Sequence, residues 1–223
     1  MSHYIKFNQV SKSFKSEQVL NDVSFELEKG KIYGFVGRNG SGKTVIFKLI
    51  SGLMHPTAGE IFLENQNMTH AKQFPKSIGV LIETPGFIPH YSGMKNLKIL
   101  NGLSSSPATT ETLERSMELV GLDPKNKKPV RTYSLGMRQK LGIAQAIMNS
   151  PELLILDEPM NGLDEESVKK MRTFFTNLKE EKNVTILLAS HNKEDIQVLC
   201  DDLFEISKGT VKRNRQSQDE VAV

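Results

Sequence analysis

Eight consecutive residues, Gly37-Arg38-Asn39-Gly40-Ser41-Gly42-Lys43-Thr44, carry the most specific chemistry in this sequence. Their spacing fits G-x-x-x-x-G-K-[ST], in which glycines let the backbone turn so that successive N–H groups line an anion-sized nest. A helix beginning at the end of such a loop adds the positive end of its dipole. Lys43 then supplies a point charge for the β- and γ-phosphates of a nucleotide, and the Thr44 hydroxyl a ligand for Mg²⁺. A chance glycine-rich turn would need neither a buried strand before it nor a helix after it. This loop has both patterns: the apolar run IYGFVG leads into it, and VIFKLISGL, with helical spacing, leads out. The dinucleotide pattern G-x-G-x-x-G is absent, which argues against a nicotinamide or flavin enzyme.

A second constellation lies in LLILDEP, Leu153 to Pro159, where a buried-strand pattern ends in two adjacent carboxylates. Asp157 has the position from which P-loop proteins hold the Mg²⁺ shell. Glu158, pointing the other way, is placed to orient or deprotonate an attacking water. By themselves the two acids fit a solvated strand end equally well, and it is the phosphate loop that favours catalysis. His191 ends the next apolar strand in LLASH, where it can bond a γ-phosphate, although a lone histidine more often has a structural role. The single cysteine, Cys200 in IQVLC, excludes an internal disulfide, fits a reducing compartment and reads as a buried, inert thiol.

These residues need a scaffold that brings strand ends together. Tyr4 to Phe14 and Val23 to Leu27 have the pattern of half-exposed strands, with a polar turn at Lys15 to Gln18 between them. Buried strands are expected at 32–37, 77–83, 152–158 and 183–191, with helices around 95–102, 111–120, 138–150, 165–181 and 193–200. Strands alternating with helices predict an α/β fold with a mostly parallel sheet, and an antiparallel β subdomain on its N-terminal side. Ligands of such sheets bind beyond the carboxyl ends of the strands, where Gly37, Glu83, Asp157, Glu158 and His191 all fall. Between Glu83 and Glu152 no strand pattern is strong, so 84–150 is expected to be an inserted helical subdomain. The core comprises 1–83 and 151–211, a final hairpin forms near EISKGTVKR, and 212–223 is a flexible tail.

With 223 residues, 38% of them hydrophobic, the chain can bury a core, and its net charge of +3 demands no nucleic acid. The basic run at Lys125 to Lys128, beside Pro124 and Pro129, has the look of a solvated loop. The amino terminus has no signal-like apolar run, and no stretch approaches the roughly 18–20 apolar residues of a membrane-spanning helix.

Together these residues resemble the ATP-binding subunits of ABC transporters over nearly the whole chain. Phe14 sits where that family stacks an aromatic ring on adenine. YSLGMRQKLGIAQAI, Tyr133 to Ile147, is similar to the family's signature loop, in which Ser134 and Gly136 open a helix facing the γ-phosphate of an ATP held by another subunit. Capping by Ser134 and free N–H donors make that physically reasonable. MNGLD, Met160 to Asp164, resembles the loop that crosses the dimer interface. The sequence departs from the family pattern at Leu135, usually glycine, at Met137, usually glutamine, and at Glu83, which replaces a glutamine that helps bind Mg²⁺ and signals to the membrane subunit. With IETPGFIPHYSGMKNL, these departures resemble bacterial exporters of the bacitracin and lantibiotic self-protection type.

The resemblance implies ATP and Mg²⁺ as cofactors, with Thr44, Asp157 and Glu83 as metal ligands and Glu158 and His191 as catalytic residues. It also implies a homodimer or heterodimer of ATPase subunits, attached through an integral membrane permease to the inner face of the cell membrane. An isolated monomer is expected to bind ATP and hydrolyse it poorly. Many relatives carry a further carboxy-terminal region, which is expected to be absent here. A soluble ABC ATPase of translation or DNA maintenance is the alternative, but a second ATPase domain or a long coiled-coil insert, the marks of those types, does not appear. A non-hydrolysing nucleotide sensor is disfavoured by Glu158 and His191. The transported substrate is not written in this chain, because the permease carries the pathway.

Overall fold

In the computed structural model, which describes residues 3–15, 17–70, 75 and 77–215, ten strands form two sheets. The first is antiparallel, with order β2-β1-β4-β5: β1 (Ile5–Phe14), β2 (Glu17–Leu27), β4 (Ala58–Leu63) and the short β5 (Gln66–Asn67). The second has order β10-β9-β3-β8-β7-β6, built from β3 (Ile32–Val36), β6 (Ile78–Leu81), β7 (Leu153–Asp157), β8 (Thr185–Ala189), β9 (Asp202–Ser207) and β10 (Thr210–Arg215). Its pairings are parallel except at the β9–β10 hairpin.

The parallel sheet is covered on both faces, which is why its strands are continuous apolar runs. Along β7, Leu154 and Leu156 face a cluster shared with the helical insert, whereas Leu153 and Ile155 face a cluster shared with α1 (Lys43–Ile50) and the antiparallel sheet. Along β8, Ile186 and Leu188 take the first side and Leu187 and Ala189 the second. The two-residue period of a strand thus joins three layers through one central sheet. The insert contributes α2 (Gly93–Asn101), α3 (Thr110–Leu119), a 3₁₀ turn (Val130–Thr132) and α4 (Leu135–Ile147). The helices α5 (Glu165–Lys182) and α6 (Lys193–Leu199) complete the core, and Leu141, Ile143, Ala144 and Ile147 of α4 dock the insert onto the sheet.

Several boundaries differ from the sequence expectation. The turn after β1 is tighter, because β2 already pairs at Glu17, opposite Phe14. The strand β4 carried no expectation at all; its AGEIFL segment alternates only weakly and becomes a strand by pairing with β1. The expected tail begins too early at 212: Lys212 to Asn214 pair with Leu203 to Glu205, and Arg213 forms an ion pair with Asp202. Residues 216–223 of that tail lie outside the described residues. Cys200 is buried, and burial pushes its thiol up to about 12, in keeping with an inert role.

Candidate functional site

The phosphate loop links the end of β3 to the start of α1. Gly42 caps α1 with φ of 111°, in the left-handed region, so the backbone conformation favours glycine, and a Cβ there would also crowd Leu20 Cδ2 at 2.9 Å. Lys43 is only 7% exposed, and its Nζ donates to the carbonyls of Gly37 at 2.7 Å and Arg38 at 3.2 Å. The loop's own carbonyls therefore hold the ammonium at its floor. The Ser41 hydroxyl is buried with no hydrogen-bond partner among the described residues.

Beside the loop, the Thr44 hydroxyl donates to Asp157 Oδ2 at 2.7 Å, tying α1 to the carboxyl end of β7. Two hard oxygen donors side by side, adjoining a phosphate nest, are the set that suits Mg²⁺, which keeps most of its shell for water and phosphate oxygens. Glu158 follows with φ of 52°, an unfavourable conformation for a side-chain-bearing residue, held by its own N–H on the Ala189 carbonyl and by Gln139 Nε2 on its carbonyl at 2.9 Å. The His191 N–H donates to Glu158 Oε2 at 3.1 Å. His191 Nε2 approaches Oε1 to 3.2 Å off hydrogen-bond alignment, which leaves Oε1 a buried acceptor without a hydrogen-bond partner among the described residues. Burial raises the Glu158 carboxyl above its ordinary range, with Asp157 adding to the rise and His191 and Lys43 opposing it. A carboxylate with an unsatisfied oxygen and an elevated proton affinity is suited to accept a proton from water.

A cleft of about 780 Å³ gathers Asn39 to Thr44, Glu83, Asp157, Glu158 and His191, together with Leu135, Gln139, Asn161 and Gly162. Sequence reasoning brought the first group together from strand ends alone. Gln139 was missed, though its place four residues after Leu135 puts both on one face of α4. Asn161 lies within the MNGLD loop, whose resemblance was noted without assigning this side chain.

Four expected site residues stand differently. Phe14, at the end of β1, is 42% exposed and outside the cleft lining, with Lys12 Nζ 5.2 Å from its ring centroid. Ser134 caps α4 by accepting from the Met137 N–H at 3.1 Å, and α4 starts at Leu135, earlier than expected, because of that cap. Gly136 packs on the MNGLD loop, where a Cβ would meet the Gly162 carbonyl at 2.5 Å, and a Cβ on Gly162 would meet Leu135 at 2.7 Å. Glu83 lines the cleft, but its Oε1 is 2.6 Å from Lys48 Nζ on α1, so its carboxylate is engaged by a lysine that the sequence had not singled out.

A phosphate loop with its lysine buried, an oxygen pair beside it and an adjoining carboxylate on a mostly parallel sheet are the parts of a nucleotide-binding P-loop protein. Residues 20–161, more than half of the chain, match the family described as ABC transporter. The chain is 37% identical to the bacitracin transport ATP-binding protein BcrA of Bacillus licheniformis over 97% of its length and 74% of that protein's. It is 36% identical to the lantibiotic transport ATP-binding protein SrtF of Streptococcus pyogenes over 93% of its length and 88% of that protein's. The fold superposes on an ATP-binding cassette solved as a dimer in a post-hydrolysis state with ADP and Pi, with a TM-score of 0.87 at 20% identity, covering 96% of this chain and 99% of that one. This chain belongs to the ABC transporter family as one of its ATP-binding subunits, and it is an ABC ATPase. Cassettes of this family dimerise and work with membrane permeases. Among the described residues, no helix is long and apolar enough to cross a membrane.

Proposed function

We propose that this chain hydrolyses ATP to drive a membrane exporter of peptide antibiotics or similar amphipathic compounds. The observation that carries the hydrolytic part is Glu158, half-buried beside Asp157, lining the phosphate-loop cleft and held at its carboxylate by His191. The exporter part rests on the similarity to bacitracin and lantibiotic transport proteins.

In this reading the loop N–H groups of Gly37 to Thr44, with Arg38, Asn39, Gly40, Ser41 and Gly42 forming the turn, receive the β- and γ-phosphates. Lys43 leaves the carbonyls of Gly37 and Arg38 to bond phosphate oxygens, and Phe14 stacks on adenine. Thr44 and Asp157 would hold Mg²⁺, and Glu83, paired with Lys48 here, would be a further oxygen donor once that pair parts. Mg²⁺ offsets the negative charge on the phosphates when bound. Glu158 takes a proton from the attacking water, and His191 fixes Glu158 and bonds the γ-phosphate. Ser134 and Gly136 present the start of α4 to the ATP of a partner subunit, which is a second copy or a related chain. Closure of that dimer moves a permease that holds the pair at the inner face of the cell membrane, with no nucleic acid involved.

The test is to purify the chain with its membrane partner from native membranes, reconstitute the complex in vesicles and titrate a bacitracin-type peptide. Peptide-stimulated, Mg²⁺-dependent ATPase activity is the expected result. Purification from native membranes with no membrane protein attached, or reconstituted ATPase activity that ignores the peptide, would sink the exporter reading.

A further inference from the structure

The loop that carries His191 is tied to α5 by a buried polar chain that none of the matched motifs includes. Asp195, in the first turn of α6, is only 1% exposed. Its Oδ1 accepts from Arg172 Nε at 2.9 Å and from the second guanidinium nitrogen at 2.6 Å, and its Oδ2 accepts from the Ser190 hydroxyl at 3.0 Å. Ser190 Oγ in turn accepts from the Asn192 N–H at 3.1 Å. These bonds close around His191 on both sides of the chain, and the His191 N–H is the group that donates to Glu158 Oε2. The remaining guanidinium nitrogen reaches Glu194 at 2.7 Å, so Arg172 binds two successive carboxylates. Its own helix is capped by Asp164, the last residue of the MNGLD loop.

Energetics favour a positioning role over simple stabilisation. A buried ion pair contributes little net stability relative to apolar residues of the same size, so its value lies in fixing geometry where both partners are fully hydrogen-bonded. Here both oxygens of Asp195 are used, one by α5 and one by the histidine loop. The bonds are directional, and an apolar pair could not orient the Ser190 hydroxyl.

We propose that Arg172, Asp195 and Ser190 are positioning residues that hold His191, and through it the Glu158 carboxylate, in register with the loop at the head of α5. The proposal rests on the assignment of His191 and Glu158 to hydrolysis.

Ser190→Ala is the principal test, because it removes the link while leaving the Arg172–Asp195 pair intact and the fold supported. In the assembled transporter it is expected to lower kcat about tenfold with the KM for ATP unchanged. Amide exchange over 189–192 should rise several-fold, while exchange in the phosphate loop stays as it was. Asp195→Asn, which keeps shape and one acceptor, should fall between the parent and Ser190→Ala. In a His191→Ala background, Ser190→Ala should cost nothing further in kcat. A full multiplicative loss in that background, or unchanged kcat and unchanged exchange in stable Ser190→Ala protein, overturns the proposal. Fully active His191→Ala protein overturns the assignment of His191 itself, and the exchange measurement then reports separately that the chain of bonds still orders the loop.

Discussion

The phosphate loop and the start of α4 are both helix N-termini built to meet anions, yet they stand in opposite conditions. The first is finished within one chain: Lys43 is buried at 7% exposure, Gly42 has the one conformation the turn allows, and Thr44 is already bonded to Asp157. The second is capped by Ser134 and has Leu135 58% exposed beside it. One region is organised by its own core, while the other, in the proposed function, meets the ATP of a partner subunit. The difference explains why nucleotide binding and nucleotide hydrolysis should separate under mutation.

The largest effect should come from the group between the two regions. Glu158→Gln is expected to lower kcat about 10³-fold, within the range of general base catalysis, with ATP affinity retained and a nucleotide-bound dimer accumulating on gel filtration. Undiminished phosphate release would remove Glu158 from the chemistry. Next, Lys43→Ala should weaken ATP binding by roughly 10–100-fold even in the isolated chain, since it deletes charged hydrogen bonds to phosphate. Ser134→Ala should leave the Kd of the isolated chain unchanged while lowering dimer turnover about tenfold, and equal damage to both would erase the contrast between the two helix ends.

A smaller effect follows from the Glu158 carboxyl. Because its folded pKa lies above its unfolded value, the native state binds that proton more tightly. Stability therefore falls as pH rises from the ordinary carboxylate range through the raised value, and stays lowered above it. Glu158→Gln removes this cost, so its Tm should exceed the parent's at pH 7, with the gap closing near pH 4. A lower Tm at pH 7 would contradict the burial argument. The smallest change in stability is expected for Lys48→Met, because the Lys48–Glu83 pair is largely exposed on the glutamate side and such pairs contribute about 1 kcal/mol or less. The dependence of turnover on Mg²⁺ is where that variant should differ, shifting to lower concentration as Glu83 is released.

The local elements that position the candidate site were legible in the sequence. The phosphate loop lies between a strand and a helix because glycine spacing, a buried apolar run and a helical period are all short-range features. Asp157 and His191 fall at strand ends for the same reason, and Ser134 was recognisable as a cap from its place before a helical pattern. Strand β4 was not legible, since it depends on pairing with β1 more than on its own alternation. Nor were the side-chain contacts that tune the site: Lys48 on Glu83, 35 residues apart, Gln139 on the Glu158 carbonyl, 19 apart, and Arg172 on Asp195, 23 apart. Periodicity states which face of an element is buried, but it does not state which side chain of another element will meet it. That is decided by how helices cross the sheet and how deeply each packs, and only the assembled core fixes those angles and distances.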